Sequence, residues 1–236
     1  MINDSHQTWR IVPYLKNARL YSEDNPPRFR EYQETDTPPQ TLERYWDKRF
    51  EYWPNFDEGV LTDEVGLFSV TAMDSAIEIA EIADRIYPKD SSIIVDACCG
   101  VGGNTDAFAR IIKGSMVVGV DMSQQRIYCA QHNCFISEGA GLCQFLLSDC
   151  IAFLNSMDKK VRFVFSDPPW GGPNYKIRKY DDFPFDVKGL AEATRKACGG
   201  ELRLILFLPR DFPVEAGKEI LRDGETMEYF PVRSGE

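Results

Sequence analysis

Histidine is almost missing from this chain: two in 236 residues, His6 and His132. Cysteine is not scarce, but its seven copies are odd in number and none forms a C-x-x-C pair. A zinc centre is therefore not expected, nor is a disulfide framework; reduced, buried thiols are. No apolar run is long enough to cross a membrane, and residues 1–6 lack a basic segment leading into an apolar one. That predicts a soluble, intracellular protein. Positive charge is also short, 27 Lys and Arg against 37 Asp and Glu, for a net charge of −10. An acidic chain is poorly suited to gripping a long phosphate backbone. A small phosphorylated head group, held by a few local Arg or Lys residues, stays open to it.

What is present is enough apolar sequence, 43% of the chain, to build one cored domain with an extension. Residues 1–40 carry Pro26-Pro27 and Pro38-Pro39 among many polar residues and read as an irregular arm. Residues 41–90 read as a helical extension. In it Leu42, Tyr45, Trp46, Arg49, Phe50 and Trp53 fall near helical spacing behind Thr41 as N-cap. Residues 66–71 read as a short extended stretch, and 72–86 as a helix that Pro88 ends. Residues 91–236 read as the core. Strands are expected at 92–97, 116–120, 142–147, 161–165 and 201–208, and helices at 104–112, 123–137, 151–155 and 190–198. This alternation predicts an α/β fold, a mostly parallel twisted sheet with helices on both faces. One more strand is expected within 225–236.

Three acids close three successive strands: Asp96, Asp121 and Asp149. The first precedes a glycine-rich turn, Cys98-Cys99-Gly100-Val101-Gly102-Gly103-Asn104, which suggests a nucleotide. The spacing is not the G-x-G-x-x-G of a dinucleotide site, and Asp96 would repel a pyrophosphate. It would attract an ammonium group instead. Asp121 is placed for ribose hydroxyls and Asp149 for an adenine amine, with Met122 and Cys150 beside them. Each acid alone reads as a loop residue or helix cap. Together with Gly100, Gly102 and Asn104 they point to S-adenosylmethionine.

The second motif is Ser166-Asp167-Pro168-Pro169-Trp170-Gly171-Gly172-Pro173, past the fourth strand. Two prolines make a stiff ledge without N–H groups, an acid precedes it and a flat aromatic follows. Taken alone the segment reads almost as well as an ordinary loop. Beside the cofactor acids it suits a planar base with an exocyclic amine.

With both motifs in hand, the chain resembles the Rossmann-like class I methyltransferases, and more narrowly the trimethylguanosine synthase family of RNA cap hypermethylases. The matching residues are Val95-Asp96-Ala97, Cys99 to Thr105, Pro168-Pro169-Trp170-Gly171-Gly172-Pro173 and Phe207-Leu208-Pro209-Arg210. Upstream, Tyr45-Trp46, Phe56-Asp57, Gly59 and Phe68-Ser69-Val70-Thr71 also match, so the likeness runs from about residue 42 to 210. It implies methyl transfer to N2 of a 7-methylguanosine cap, as on small nuclear and nucleolar RNAs, by a nuclear enzyme, with the cytoplasm as a second place of action; a monomer is expected. It implies that Trp170 stacks on the base, that Phe68 and Thr71 close over the cofactor, and that Arg44 and Arg210 meet the cap phosphates. Trp53 and Asn133 would line the cap pocket or its rim, and Asn174 and Tyr175 would contact substrate. Three departures stand out: Asp167 where animal members tend to have Ser, Arg44 where the pattern has Lys, and no counterpart to the usual seventh strand.

The expected chemistry is a direct transfer. Asp167 and the Pro168 carbonyl accept hydrogen bonds from the amine, so that its lone pair faces the methyl group. N7-methylation makes the base cationic, and an indole face favours a cation, which predicts N7 methylation before N2. Rival readings are another amino methyltransferase, acting on adenine N6 or a protein amide, and a cap-binding module without turnover.

Overall fold

The computed structural model describes residues 21, 22 and 24, then 39–137, 142–157, 161–171, 176, 179–210 and 212–232. Five strands form its centre: β1 (Ile93–Ala97), β2 (Met116–Asp121), β3 (Cys143–Leu147), β4 (Val161–Ser166) and β5 (Leu204–Leu206). They lie in the order β3-β2-β1-β4-β5, and every pairing is parallel. β1, β2 and β4 are apolar runs because both of their faces are covered. Ile94, Val117, Phe163 and Phe165 face α4 (Met73–Ile86), α5 (Gly103–Ile111) and α6 (Gln124–Ile136). Val95, Ala97, Val118, Val120 and Val164 face α7 (Cys150–Ser156) and α8 (Val187–Ala197). The expected α/β architecture is what forms, with helix and strand ends shifted by a few residues. Among the described residues no helix is long and apolar enough to cross a membrane.

The extension departs from its sequence pattern in two places. Residues 41–53 do not make one helix capped by Thr41. The chain forms α1 (Pro39–Asp47) and α2 (Arg49–Tyr52), broken at Lys48, with Pro39 opening the first turn, where its fixed φ suits a helix. Residues 66–71 are not extended either: α3 (Glu64–Ser69) occupies most of them. Its start is fixed by Asp63, whose carboxylate accepts from the Gly66 N–H at 2.6 Å. Only Val70, Thr71 and Ala72 remain outside helices before α4. This extension packs Trp46, Trp53, Phe56, Leu67 and Met73 into a third cluster that reaches Ala107 of α5.

The carboxyl-terminal prediction also fails. β5 keeps three residues of the expected eight, and residues 221–232 form no strand. That segment is rich in charge and held by side chains instead. Arg195 of α8, 3% exposed, donates to Glu225 from Nε at 2.8 Å and from Nη2 at 2.5 Å, and to the Ile220 carbonyl at 2.6 Å. The Arg195 guanidinium holds the Glu225 carboxyl down at about 2.

Candidate cofactor and substrate site

In a parallel sheet all strands end on one edge, and ligands gather in the crevice outside it. The register aligns Ala97 with Val120 and with Ser166, and Asp121 with Leu147. Asp96, Asp121 and Asp167 therefore collect at this edge.

The turn after β1 is shaped by backbone that few side chains tolerate. Cys98, Gly100 and Gly102 all have positive φ, 69°, 54° and 95°. A Cβ on Gly102 would also stand 3.1 Å from the Ala130 backbone. The turn is tied to β2, for Cys98 and Cys99 donate to the Val120 carbonyl at 2.9 and 3.0 Å. The Gly100 N–H donates to Asp121 at 3.0 Å, and the same carboxylate accepts from the Ser123 N–H at 2.8 Å.

Asp96 is 1% exposed, and burial lifts its carboxyl to about 7. The Thr105 hydroxyl, donating at 2.5 Å, opposes that lift, and the Asp121 charge adds to it. Asp167 is raised well above the usual carboxylate range, first by burial of its carboxyl and then by Asp96; a hydrogen bond from Thr71 works against both. Two enclosed acids next to a third are costly without a cation. That charge pattern fits a ligand carrying an ammonium and a sulfonium. The Asn104 amide oxygen, buried and without a hydrogen-bond partner among the described residues, is a further acceptor at the turn.

Asp149 is exposed and caps α7, accepting from the Ala152 N–H at 2.7 Å, with Cys150 buried behind it. Met122 lies open to solvent. On the ledge Pro168 is buried and Trp170 half-buried, its ring tilted 32° against Phe207 with centroids 6.0 Å apart. Phe68 of α3 lies 6.2 Å from the Tyr45 ring, and Arg44 donates to the Tyr45 hydroxyl at 2.7 Å. Arg44 and Arg210 are both exposed. Asn174 and Tyr175 fall outside the described residues.

Two expected substrate residues are built into the structure instead. Trp53 is 2% exposed and packs in the core of the extension, with no face left for a base. Asn133 is fully buried, and its amide accepts from the Leu61 N–H at 2.8 Å and donates to the Leu61 and Val101 carbonyls at 2.8 and 3.0 Å. It fastens the extension to the cofactor turn. Asn133→Ala would take the partner from three backbone groups, the part-buried N–H and carbonyl of Leu61 and the buried carbonyl of Val101. We expect it to lower stability by roughly 2–4 kcal/mol, read by urea unfolding. The sequence gives Thr105 a place at the end of the matching glycine-rich stretch but no role. Its place in the first turn of the helix that follows the glycines is the further signal that points to the Asp96 carboxyl.

The model of the RNA cap guanine-N2 methyltransferase family matches residues 91–226. The chain belongs to that family. The trimethylguanosine synthase of Schizosaccharomyces pombe is 32% identical over 188 residues, 75% of this chain and 74% of that one. The trimethylguanosine synthase of Saccharomyces cerevisiae is 33% identical over 178 residues, 72% of this chain and 55% of that one, so this chain spans about half of it. Among solved structures, a SAM-dependent O-methyltransferase from Thermotoga maritima is a loose match, with TM-score 0.48 and 16% identity over 64% of this chain and 49% of that one. As a cap guanine-N2 methyltransferase, the protein uses S-adenosylmethionine to methylate the exocyclic amine of an RNA cap guanine.

Proposed function

We propose that the acids at the strand ends divide the cofactor between them. Asp96 and the Asn104 oxygen take its ammonium, Asp121 its ribose hydroxyls and Asp149 its adenine amine. Met122 and Cys150 border the adenine, Gly100 and Gly102 let the backbone approach closely, and Phe68 covers the site from the extension. S-adenosylmethionine supplies an electrophilic methyl group on a sulfonium.

On the substrate side Trp170 stacks on 7-methylguanine, with Arg44 and Arg210 meeting the cap phosphates. Asp167 and the Pro168 carbonyl accept from the N2 amine and turn its lone pair toward the methyl group. No strong base is required, because the nitrogen becomes acidic as the new bond forms. Alignment of the two partners then supplies most of the acceleration, up to ~7–11 kcal/mol in well-oriented systems. The observation that carries this reading is the ledge itself. It begins at Asp167, right after the carboxyl end of β4, and β4 pairs directly with the strand bearing Asp96.

We also propose that N7 methylation precedes N2, and that a monomer acts on small nuclear and nucleolar RNA in the nucleus. Mass spectrometry of 7-methyl-GTP incubated with cofactor should show a gain of one methyl or two, and unmethylated GTP should gain none. Equal turnover of both nucleotides would remove the cation preference assigned to Trp170. Light scattering and imaging of a tagged chain would check the monomer and its location.

A further inference from the structure

Among the described residues, two buried polar atoms beside the start of α5 have no hydrogen-bond partner: the Trp53 indole Nε1 and the Asn104 amide oxygen. The first can only donate and the second can only accept. Gly103 stands between them. A Cβ on it would lie 3.9 Å from Trp53 Cζ2, the ring carbon on the same edge as Nε1, and Asn104 is the next residue. Thr71, 5% exposed in the link between α3 and α4, fixes which way the amide faces. Its hydroxyl accepts from Asn104 Nδ2 at 2.8 Å, which leaves the amide oxygen for a ligand. The Trp53 ring is used up in the packing of the extension, but its N–H is not. A donor shut off from water and left unpaired loses its hydration without compensation, so one that persists calls for a partner from outside the chain. The start of α5 supports the donor side. The helix runs nine residues, no side chain caps it, and the free N–H groups of a helix's first turn favour an anion.

We propose that the Trp53 N–H and the start of α5 hold the carboxylate of the cofactor's amino-acid end. An anion site then adjoins a cation site, and a single α-carbon of the cofactor carries both a carboxylate and an ammonium. This inference rests on the ammonium given above to Asp96 and the Asn104 oxygen. The resemblance puts the Trp53 ring at the cap pocket; the structure leaves only its N–H to a ligand, next to the cofactor turn. The extension thereby contributes a direct cofactor contact, beyond the cover given by Phe68.

The test sets wild type against Trp53→Phe, which keeps a ring for packing and loses the N–H. Each is titrated by calorimetry with S-adenosylmethionine and with its decarboxylated form, which keeps the ammonium and the sulfonium. The wild type should bind the decarboxylated form about 10–100-fold more weakly, the scale of lost hydrogen bonds to a charged group. Trp53→Phe should weaken S-adenosylmethionine about 10-fold and leave the decarboxylated form within about twofold, so that the gap between the two narrows. A purely structural loss, from the space that phenylalanine leaves, would weaken both ligands alike and overturn the proposal. So would a variant that weakens neither. Should Trp53→Phe fail to fold, equal affinity of the wild type for the two forms would still remove the carboxylate site. Asp96→Asn should weaken both forms, since both carry the ammonium. If it weakens neither, the ammonium assignment falls and this inference with it.

Discussion

Replacing Trp170 by alanine should cut methyl transfer to 7-methyl-GTP about 10²–10³-fold while S-adenosylmethionine binds as before. A base stacked on an aromatic ring gains ~1–3 kcal/mol, and a cation over an indole adds ~0.5–2 kcal/mol. Together they come to roughly 3–4 kcal/mol, which is two to three decades in rate. The ring is set up for this by Phe207, tilted against it, and by the buried cluster of Tyr180, Phe183, Val187 and Phe212 on which it packs. Trp170→Phe keeps a ring but weakens the cation preference, so it should fall between alanine and wild type. Single-turnover rates at saturating cofactor, taken well below the unfolding temperature, would separate this loss from a loss of fold. A Trp170→Ala protein that turns over at the wild-type rate would take the indole out of the substrate slot.

Cofactor affinity should rise with pH through about 7, by up to tenfold for each pH unit below that point. Asp96 is the cause. Burial lifts its carboxyl to about 7, with Asp121 adding to the lift and Thr105 opposing it. The Asp96 charge acts in turn on the Asp167 carboxyl and the Cys99 thiol, which burial already pushes toward their neutral forms. An ammonium needs the carboxylate, so binding below pH 7 must first expel a proton. The free protein should show the opposite trend. An acid whose folded value lies above its unfolded one stabilises the fold at low pH, and that contribution is lost as pH rises toward and through the folded value. Between the ordinary 3.8 and about 7 the loss is of order 4 kcal/mol. Calorimetry at pH 6, 7 and 8, in buffers of different ionisation enthalpy, should register proton release on binding. Asp96→Asn should bind weakly and with a flat pH profile. A flat profile in the wild type would assign the ammonium to another group.

The parts of this architecture that a reader of the sequence can find are those written locally. β1, β2 and β4 are buried on both faces, so they stand out as short apolar runs, and the acids and glycines that follow them mark the functional edge. The helix α3 was hidden because Leu67-Phe68-Ser69-Val70-Thr71 has strand composition, while the capping bond from Asp63 that starts the helix is invisible to a periodicity count. The contacts of Asn133 are hidden for a different reason. Its partner Leu61 lies 72 positions away in sequence, and nothing local says that a polar amide in α6 will be consumed by backbone. Trp53 follows the same logic: an aromatic beside basic residues looks like a binding surface until the extension folds over it. No strand forms at 221–232, where Glu225 ties the segment to Arg195 rather than to a sheet edge.

That ion pair also sets a practical boundary for anyone shortening the chain. A version ending before Glu225 would leave the buried Arg195 guanidinium with the Ile220 carbonyl and the outward-facing Glu192, and without its main counter-charge. Stranding a buried charge in this way typically costs about 3–5 kcal/mol, against roughly 5–15 kcal/mol that keeps a whole domain folded. Residues that look like a dispensable tail after the last strand are thus part of what lets α8 lie flat on the sheet.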